Sequence, residues 1–265
     1  MRTVWTIYKR EVRQYFVSPI AYLVAFAILL LLGLYFNTDL QDRVDNRLPA
    51  SGAVVLSAFA FLMIFFAPLL TMRLFAEESR EGTLELLMTS PVRDVELVMG
   101  KFFGAWTFYT IVLALTGVYQ GILLSITTYA EQSDRVQERI LNPAAELDMG
   151  PVIAGYIGIW LFGGATIAIG MTFSAMTDNQ IISAFLSMSV LFALWVGDLA
   201  GLLPLPSSIF SLEIIEALRV ISLQAHYSTS FLQGVILMED VYFYLAVMFV
   251  MLFITTRLVE ARRWR

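Results

Sequence analysis

The sequence predicts an all-α integral membrane protein with six transmembrane helices, and three observations carry that prediction. Of 265 residues, 58% are apolar and only 15% charged, with a mean hydropathy of +0.75, whereas a soluble domain carries roughly 45–50% apolar and about 25% charged residues. The apolar residues fall in charge-free runs, each near the roughly 20 residues needed to cross about 30 Å of hydrocarbon. The Lys and Arg residues gather in alternate connections, as the positive-inside rule requires of a multi-pass chain. The same composition excludes other classes. Cys is absent, which removes disulfides, thiol nucleophiles and cysteine-held metal clusters. A net charge of −5 leaves no basic stripe for nucleic acid.

The elements follow in chain order. Residues 3–17 place Trp5, Tyr8, Val12 and Tyr15 or Phe16 at helical spacing, with Lys9, Arg10, Arg13 and Gln14 on the other side. That is the pattern of an interfacial amphipathic helix, and Ser18-Pro19 turns the chain into the membrane. The predicted spans have cores at 20–36, 52–72, 103–126, 151–173, 181–203 and 241–257, all within one transmembrane domain over 1–265. The first is a retained anchor and not a signal peptide, because it runs through four leucines to Tyr35 and Phe36 with no small-x-small cleavage site. Twelve Lys and Arg residues lie at the two termini and in the second connection, and five on the other side. Both termini are therefore expected to be cytoplasmic. Span four has small residues four apart, Ala154 with Gly158, Gly164 with Ala168 and Thr166 with Gly170, the pattern of close helix approach. It suits internal packing, a subunit interface or a translocation lining. The run 209–223 contains Glu213, Glu216 and Arg219, each costing about 2.5–3.5 kcal/mol at a bilayer centre. It reads as an amphipathic or re-entrant outer helix, followed by a short segment from Phe231 to Leu237.

The chemistry-bearing residues are few. A lone His226 rules out a two-His zinc helix, and without a G-x-S-x-G elbow it makes a poor triad member. Asp198 is the one ionisable group inside a predicted span, near its outer end. No catalytic residue and no metal site is expected. No P-loop occurs, so any nucleotide is held by a partner. The most informative segment is the second cytoplasmic connection, 73–96. Its pattern predicts a continuation of span two to Glu81, a short helix capped by Thr83, and a new helix after Ser90-Pro91 leading into span three. Leu84, Leu87 and Met88 share one face of that short helix, which suits either a docking element for another protein or a self-packed cap.

The run E-E-S-R-E-G-T-L-E-L-L-M-T-S-P-V, with E-L-V-M-G-K at 96–101, resembles the loop between spans two and three of type-2 ABC transporter permeases. The stretch K-R-E-V-R-Q-Y-F-V-S-P-I-A-Y at 9–22, G-M-T-F-S-A-M-T-D-N-Q at 170–180, and the tail from His226 through Gly234 and Asp240 to Arg263 agree in order. The set is most similar to the gliding-motility-associated permease subgroup, and more distantly to the nitrous-oxide-reductase maturation permease. The resemblance implies a multi-pass permease of a prokaryotic inner membrane, paired with an identical or related permease subunit. Each subunit would be engaged by a cytoplasmic ABC ATPase that holds the ATP and magnesium, so this chain would need no cofactor. It further implies an N-terminal elbow helix carrying Trp5, Tyr8, Lys9, Arg10 and Arg13. The coupling helix would be carried by Glu78, Gly82, Thr83, Leu84, Glu85, Leu86, Leu87 and Pro91, and a second cytoplasmic contact by Asp178, Asn179 and Gln180. Re-entrant outer helices would precede span six. The implied function is export of an unspecified substrate; a membrane scaffold of an ATPase-driven envelope or maturation machine would need the same loop. The acidic third connection, 127–150, acquires no role from the resemblance.

Overall fold

The computed structural model describes residues 2–46, 48, 51–83, 92–132, 148–199 and 219–263. All regular structure among them is helical. Helix α1 (Arg2–Val17) is followed by α2 (Pro19–Asn46), α3 (Ala53–Thr71), α4 (Ala76–Arg80), α5 (Asp94–Gln132), α6 (Met149–Met176), α7 (Gln180–Leu199), α8 (Leu223–Thr229), a 3₁₀ turn (Phe231–Gln233) and α9 (Met238–Arg263). Six of these stretches are long and apolar enough to cross a membrane. They correspond in order to the six predicted spans; α2, α5, α6 and α9 run past their predicted cores at both ends, whereas α3 ends at Thr71 and α7 is described to Leu199. Span one, α2, continues ten residues past its predicted core to Asn46, its polar extension supported by an Arg43–Asp39 ion pair of 2.7 Å at the i,i+4 spacing of a helix.

Span four, α6, is the central pillar: 78% of its apolar window is buried, against 22% in the first span and 17% in the sixth. Its small residues explain this. A methyl on Gly158 would overlap the Phe231 ring, one on Gly163 the Tyr109 ring, and one on Gly170 the Thr71 hydroxyl. Internal packing thus consumes the small-residue face of α6, since bare helix surface is what lets aromatic side chains and neighbouring helices approach. The Thr172 hydroxyl also meets that of Thr255 of span six at 2.9 Å, a polar tie between helices.

Two expectations need correction. Span two does not continue unbroken to Glu81: the helix stops at Thr71, passes through turns at 72–75, and resumes as the short α4. The cause is a side chain inserted into the hydrogen-bond ladder. The Ser174 hydroxyl of α6 accepts from the Phe75 and Ala76 backbone N–H groups (3.1 and 3.2 Å) and lies 3.2 Å from the Met72 carbonyl, to which it donates. The side of α1 that meets span three is centred on Ile7 and Glu11, both buried, while Trp5 is 57% exposed with the Lys9 ammonium 5.1 Å from its ring centre. The other correction is on the outer side, where the described helix nearest span six is α8. The stretch Phe231 to Leu237 is a 3₁₀ turn followed by irregular chain. The Ser222 side chain caps α8 by accepting from the Ala225 N–H at 3.3 Å, and Gly234 ends the 3₁₀ turn at φ +84°, a left-handed conformation that glycine adopts without penalty. Tyr227 and Phe231, both fully buried, seat this segment on α6. The rest of the predicted outer helix, the side chain of Asp198, and positions 133–147 of the acidic connection lie outside the described residues. Asp148 caps α6, accepting from the Gly150 N–H at 2.9 Å.

Candidate functional site

The end of the bundle that holds both termini carries a polar cluster built around α4. Helices α1 and α5 approach closely because Gly100 and Gly104 of α5 lie against Ile7 and Glu11 of α1. Between those glycines stands Lys101, 1% exposed. Its ammonium is 3.0 Å from Glu11 and 2.9 Å from Glu78, over the Phe75 ring at 5.3 Å. Arg10 contacts the same two carboxylates at 2.8 Å each. Two cations and two anions thus balance, and they bind the first turn of α4 to both α1 and the start of span three. A buried charge is tolerated only when paired and hydrogen-bonded in this way.

A second clamp grips the opposite side of α4. The Ser79 hydroxyl donates to Asp178 at 2.6 Å, and Arg262, in the last turn of α9, reaches both Asp178 and Ser79 at 2.7 Å. Asp178 belongs to the turn between spans four and five, where the Asn179 side chain caps α7 by accepting from the Ile181 N–H at 2.9 Å and Gln180 begins the helix. Segment 76–80 is therefore tied to the N-terminal helix, span three, the span four–five turn and the end of span six.

The electrostatics are consistent with this geometry. Burial alone would raise the Glu11 carboxyl, yet Lys101 and Arg10 together hold it below the usual glutamate value. Asp178 is lowered by its hydrogen bonds from Ser79 and Arg262, which outweigh slight burial. Burial pushes the Tyr15 phenol well up; it stays neutral and donates to the Leu70 carbonyl at 2.9 Å.

Of the residues singled out in the coupling loop, Glu78 enters the buried cluster. Gly82 adopts φ +70° in open space, a turn conformation that suits glycine, and the Thr83 hydroxyl lies 3.2 Å from the Glu78 carbonyl. Leu84, Glu85, Leu86, Leu87 and Pro91 lie outside the described residues. Of the N-terminal set, Arg10 joins the cluster, while Lys9 and Arg13 are exposed and Tyr8 is half-buried. Sequence reasoning missed Glu11, Ser79, Lys101 and Arg262 as members of one site. The available signal was the G-K-F-F-G run at 100–104 with Glu11 four residues after Ile7.

At the far end of span six, His226 pairs with Asp240 at 2.6 Å and faces the Val220 carbonyl at 3.0 Å through its other nitrogen. It stacks on Phe243 at 3.9 Å. No serine hydroxyl meets this imidazole among the described residues, so the pair anchors residues 219–221 to span six and is no triad.

The family model described as "ABC-2 family transporter protein" matches residues 34–223. That stretch contains Glu78, Ser79, Lys101 and Asp178. No curated protein matches the chain.

Proposed function

The chain belongs to the ABC-2 family of transporter proteins, and from that premise we propose that it is the permease subunit of an exporter driven by a separate cytoplasmic ATPase. Membership of this family makes it a multi-pass membrane component, with the ATPase activity normally on another subunit. The finer reading places both termini and the 73–96 connection in the cytoplasm of a prokaryotic cell, with a second permease subunit, identical or related, completing the pathway. Within the family, we read the chain as kin to the gliding-motility-associated subgroup.

The observation that carries this reading is the double clamp on α4, the segment leading directly into the coupling helix proposed over 83–89. A force applied there by an ATPase passes through Glu78 to Arg10 and Lys101, and through Ser79 to Asp178 and Arg262. The break at 72–75 changes how the force is used. A continuous helix would tilt span two as one rod, whereas α4 swings against a pivot held by Ser174. Discrete polar clamps have made and broken states, and such bistable contacts convert small displacements into gating.

The absence of Cys makes the test clean. With Glu85→Cys as the one thiol, a thiol-to-amine cross-linker applied from the cytoplasmic side is expected to yield an adduct with a P-loop ATPase, identified by mass spectrometry. Labelling only from the outer side, or cytoplasmic labelling with no ATPase adduct in cells expressing the native operon partners, overturns the proposal.

A further inference from the structure

A cavity of about 530 Å³ opens beside the clamp, where α1 turns into span one. That volume lies in the range of small-ligand sites. Its inner wall is charged: Glu11 and Lys101 at the back, and Arg73, Glu77, Glu78 and Glu81 along the span two end. Tyr15, Ser18, Ile20 and Arg73 also line a second, much smaller space of about 30 Å³ between spans one, two and three. There the walls become apolar, with Val24, Phe66, Leu69 and Phe108. Side by side, the two spaces are charged at the membrane boundary and apolar towards the membrane interior.

The order of groups along them is that of a phospholipid. Arg73 stands at the junction, where a phosphate lies between acyl chain and headgroup. Its guanidinium pairs with Glu77 at 2.8 Å and makes a long 3.3 Å contact to Ser18, and its buried Nε has no partner. Beyond it come the carboxylates. Glu78 and Glu81 are three residues apart, and Glu77 and Glu81 four apart, so they share a helical side. The Glu78 Oε2 is likewise buried and unpaired, and among the described residues Glu81 forms no ion pair. An unused donor at the phosphate level and unused acceptors at the headgroup level ask for an anion followed by a cation bearing N–H groups, which a modest side-chain rotation would bring into contact.

We infer that this cavity binds one phospholipid with a primary-ammonium headgroup, of phosphatidylethanolamine chemistry, from the leaflet on the side of the termini. Its phosphate sits at Arg73 and Ser18, its ammonium at Glu78 and Glu81, and its acyl chains start over the apolar groove and run outward along the lipid-facing surface of spans one and two. A quaternary headgroup lacks the N–H donors, and a glycerol headgroup offers no positive charge to the acidic wall. The occupant would touch α4 itself, so headgroup composition would bear on the segment through which we propose coupling. The binding site stands on the permease chain alone and does not depend on an ATPase.

The test is native mass spectrometry of the delipidated, detergent-solubilised protein titrated with phosphatidylethanolamine or phosphatidylglycerol of identical acyl chains. The wild type is expected to retain one phosphatidylethanolamine with at least about fivefold preference, an ionic hydrogen bond in a partly open site. Glu81→Gln, at an exposed side chain, should reduce that preference to less than about twofold while leaving phosphatidylglycerol binding unchanged or stronger. Arg73→Gln should weaken both lipids together, because the phosphate is common to them, and Arg73→Lys guards against misfolding by keeping the charge. Equal retention of the two lipids by the wild type, or a preference unaltered by Glu81→Gln in monodisperse protein, overturns the inference. Failure of the ATPase cross-link leaves these readouts unaffected.

Discussion

Replacing Lys101 by Met tests the core of the site, since Met keeps the length and apolar stem and removes the charge. The ammonium lies 3.0 Å from Glu11 and 2.9 Å from Glu78; at an effective dielectric of about 20 each contact is worth roughly 5 kcal/mol of Coulomb energy. Desolvating the lysine offsets several kcal/mol of this, so the intact pairing adds little net stability. The substitution is different, because Glu11, 4% exposed, and Glu78 are then left sharing Arg10. An uncompensated buried charge of this kind costs about 3–5 kcal/mol, and the lost contact with Phe75 at 5.3 Å adds about 1 kcal/mol. At about 2–4 °C per kcal/mol, the thermal midpoint followed by tryptophan fluorescence in detergent should fall by roughly 15 °C. Charge balance supplies the control. Lys101→Met with Glu11→Gln leaves Arg10 facing Glu78 alone, and should recover at least half of the loss. A single variant within about 2 °C of wild type, or a double variant at the additive sum of the singles, would refute the argument.

Ser174→Ala leaves the Phe75 and Ala76 N–H groups without their shared acceptor; a cost of about 1–3 kcal/mol should appear as a lower thermal midpoint and faster amide exchange confined to 72–82. Gly163→Ala should destabilise by about 1–3 kcal/mol through overpacking, because its methyl overlaps the buried Tyr109 ring. Gly117→Ala, with open space around it, should be neutral or stabilising by up to about 1 kcal/mol; the two midpoints side by side check the packing of span four. The lowered Glu11 and Asp178 carboxyls set the acid limit. A depressed carboxyl contributes stability above its ordinary value and loses it as pH falls through its folded value. The midpoint should therefore stay flat from neutrality to about pH 5 and decline only below about pH 4, with a shallower decline in Glu11→Gln; an inflection above pH 5 contradicts it. Arg262→Ala should change the thermal midpoint by no more than about 1 kcal/mol equivalent, yet lower transport-coupled ATP turnover in membranes holding the cognate ATPase.

Long apolar runs and the Lys/Arg asymmetry made the six spans legible, because hydrocarbon imposes both on any chain that crosses it. The α1 helix was equally plain, but its rotation was not. Aromatic spacing marked an interfacial face with Trp5 on it but not the face that meets span three, where the glycines admit Ile7 and Glu11. Those contacts join residues about ninety positions apart, and no local pattern encodes which partner a helix meets. The break at 72–75 was similarly hidden. The sequence T-M-R-L-F-A contains no Gly or Pro to announce it, and its cause, the Ser174 hydroxyl, lies on another span. Glu78 was found through resemblance of the loop; its partner Lys101 closes the E-L-V-M-G-K run of the same resemblance, but nothing in that run pairs it with Glu78 or Glu11.

The two clamps on α4 differ in a way that orders their release. In the first, Lys101 and Glu11 are almost wholly buried, and separating them would strand charges in a poor solvent. In the second, the Asp178 side chain is 71% exposed, so water can replace Arg262 at little cost and the contact is worth about 0–1 kcal/mol. Under the proposed coupling, a load on the segment after Arg80 would open the Ser79–Asp178–Arg262 side first and leave α4 moving with α1 and span three as one body. The pivot at Ser174 belongs to span four, the most buried helix, so the reference frame for that motion is the pillar and the moving parts are at its edge. Displacement is then directed between the α1–span three body and the end of span six, the same body whose charged wall lines the cavity beside Arg73. On this reasoning the buried charges fix which helices move together, and the exposed pair decides when they part.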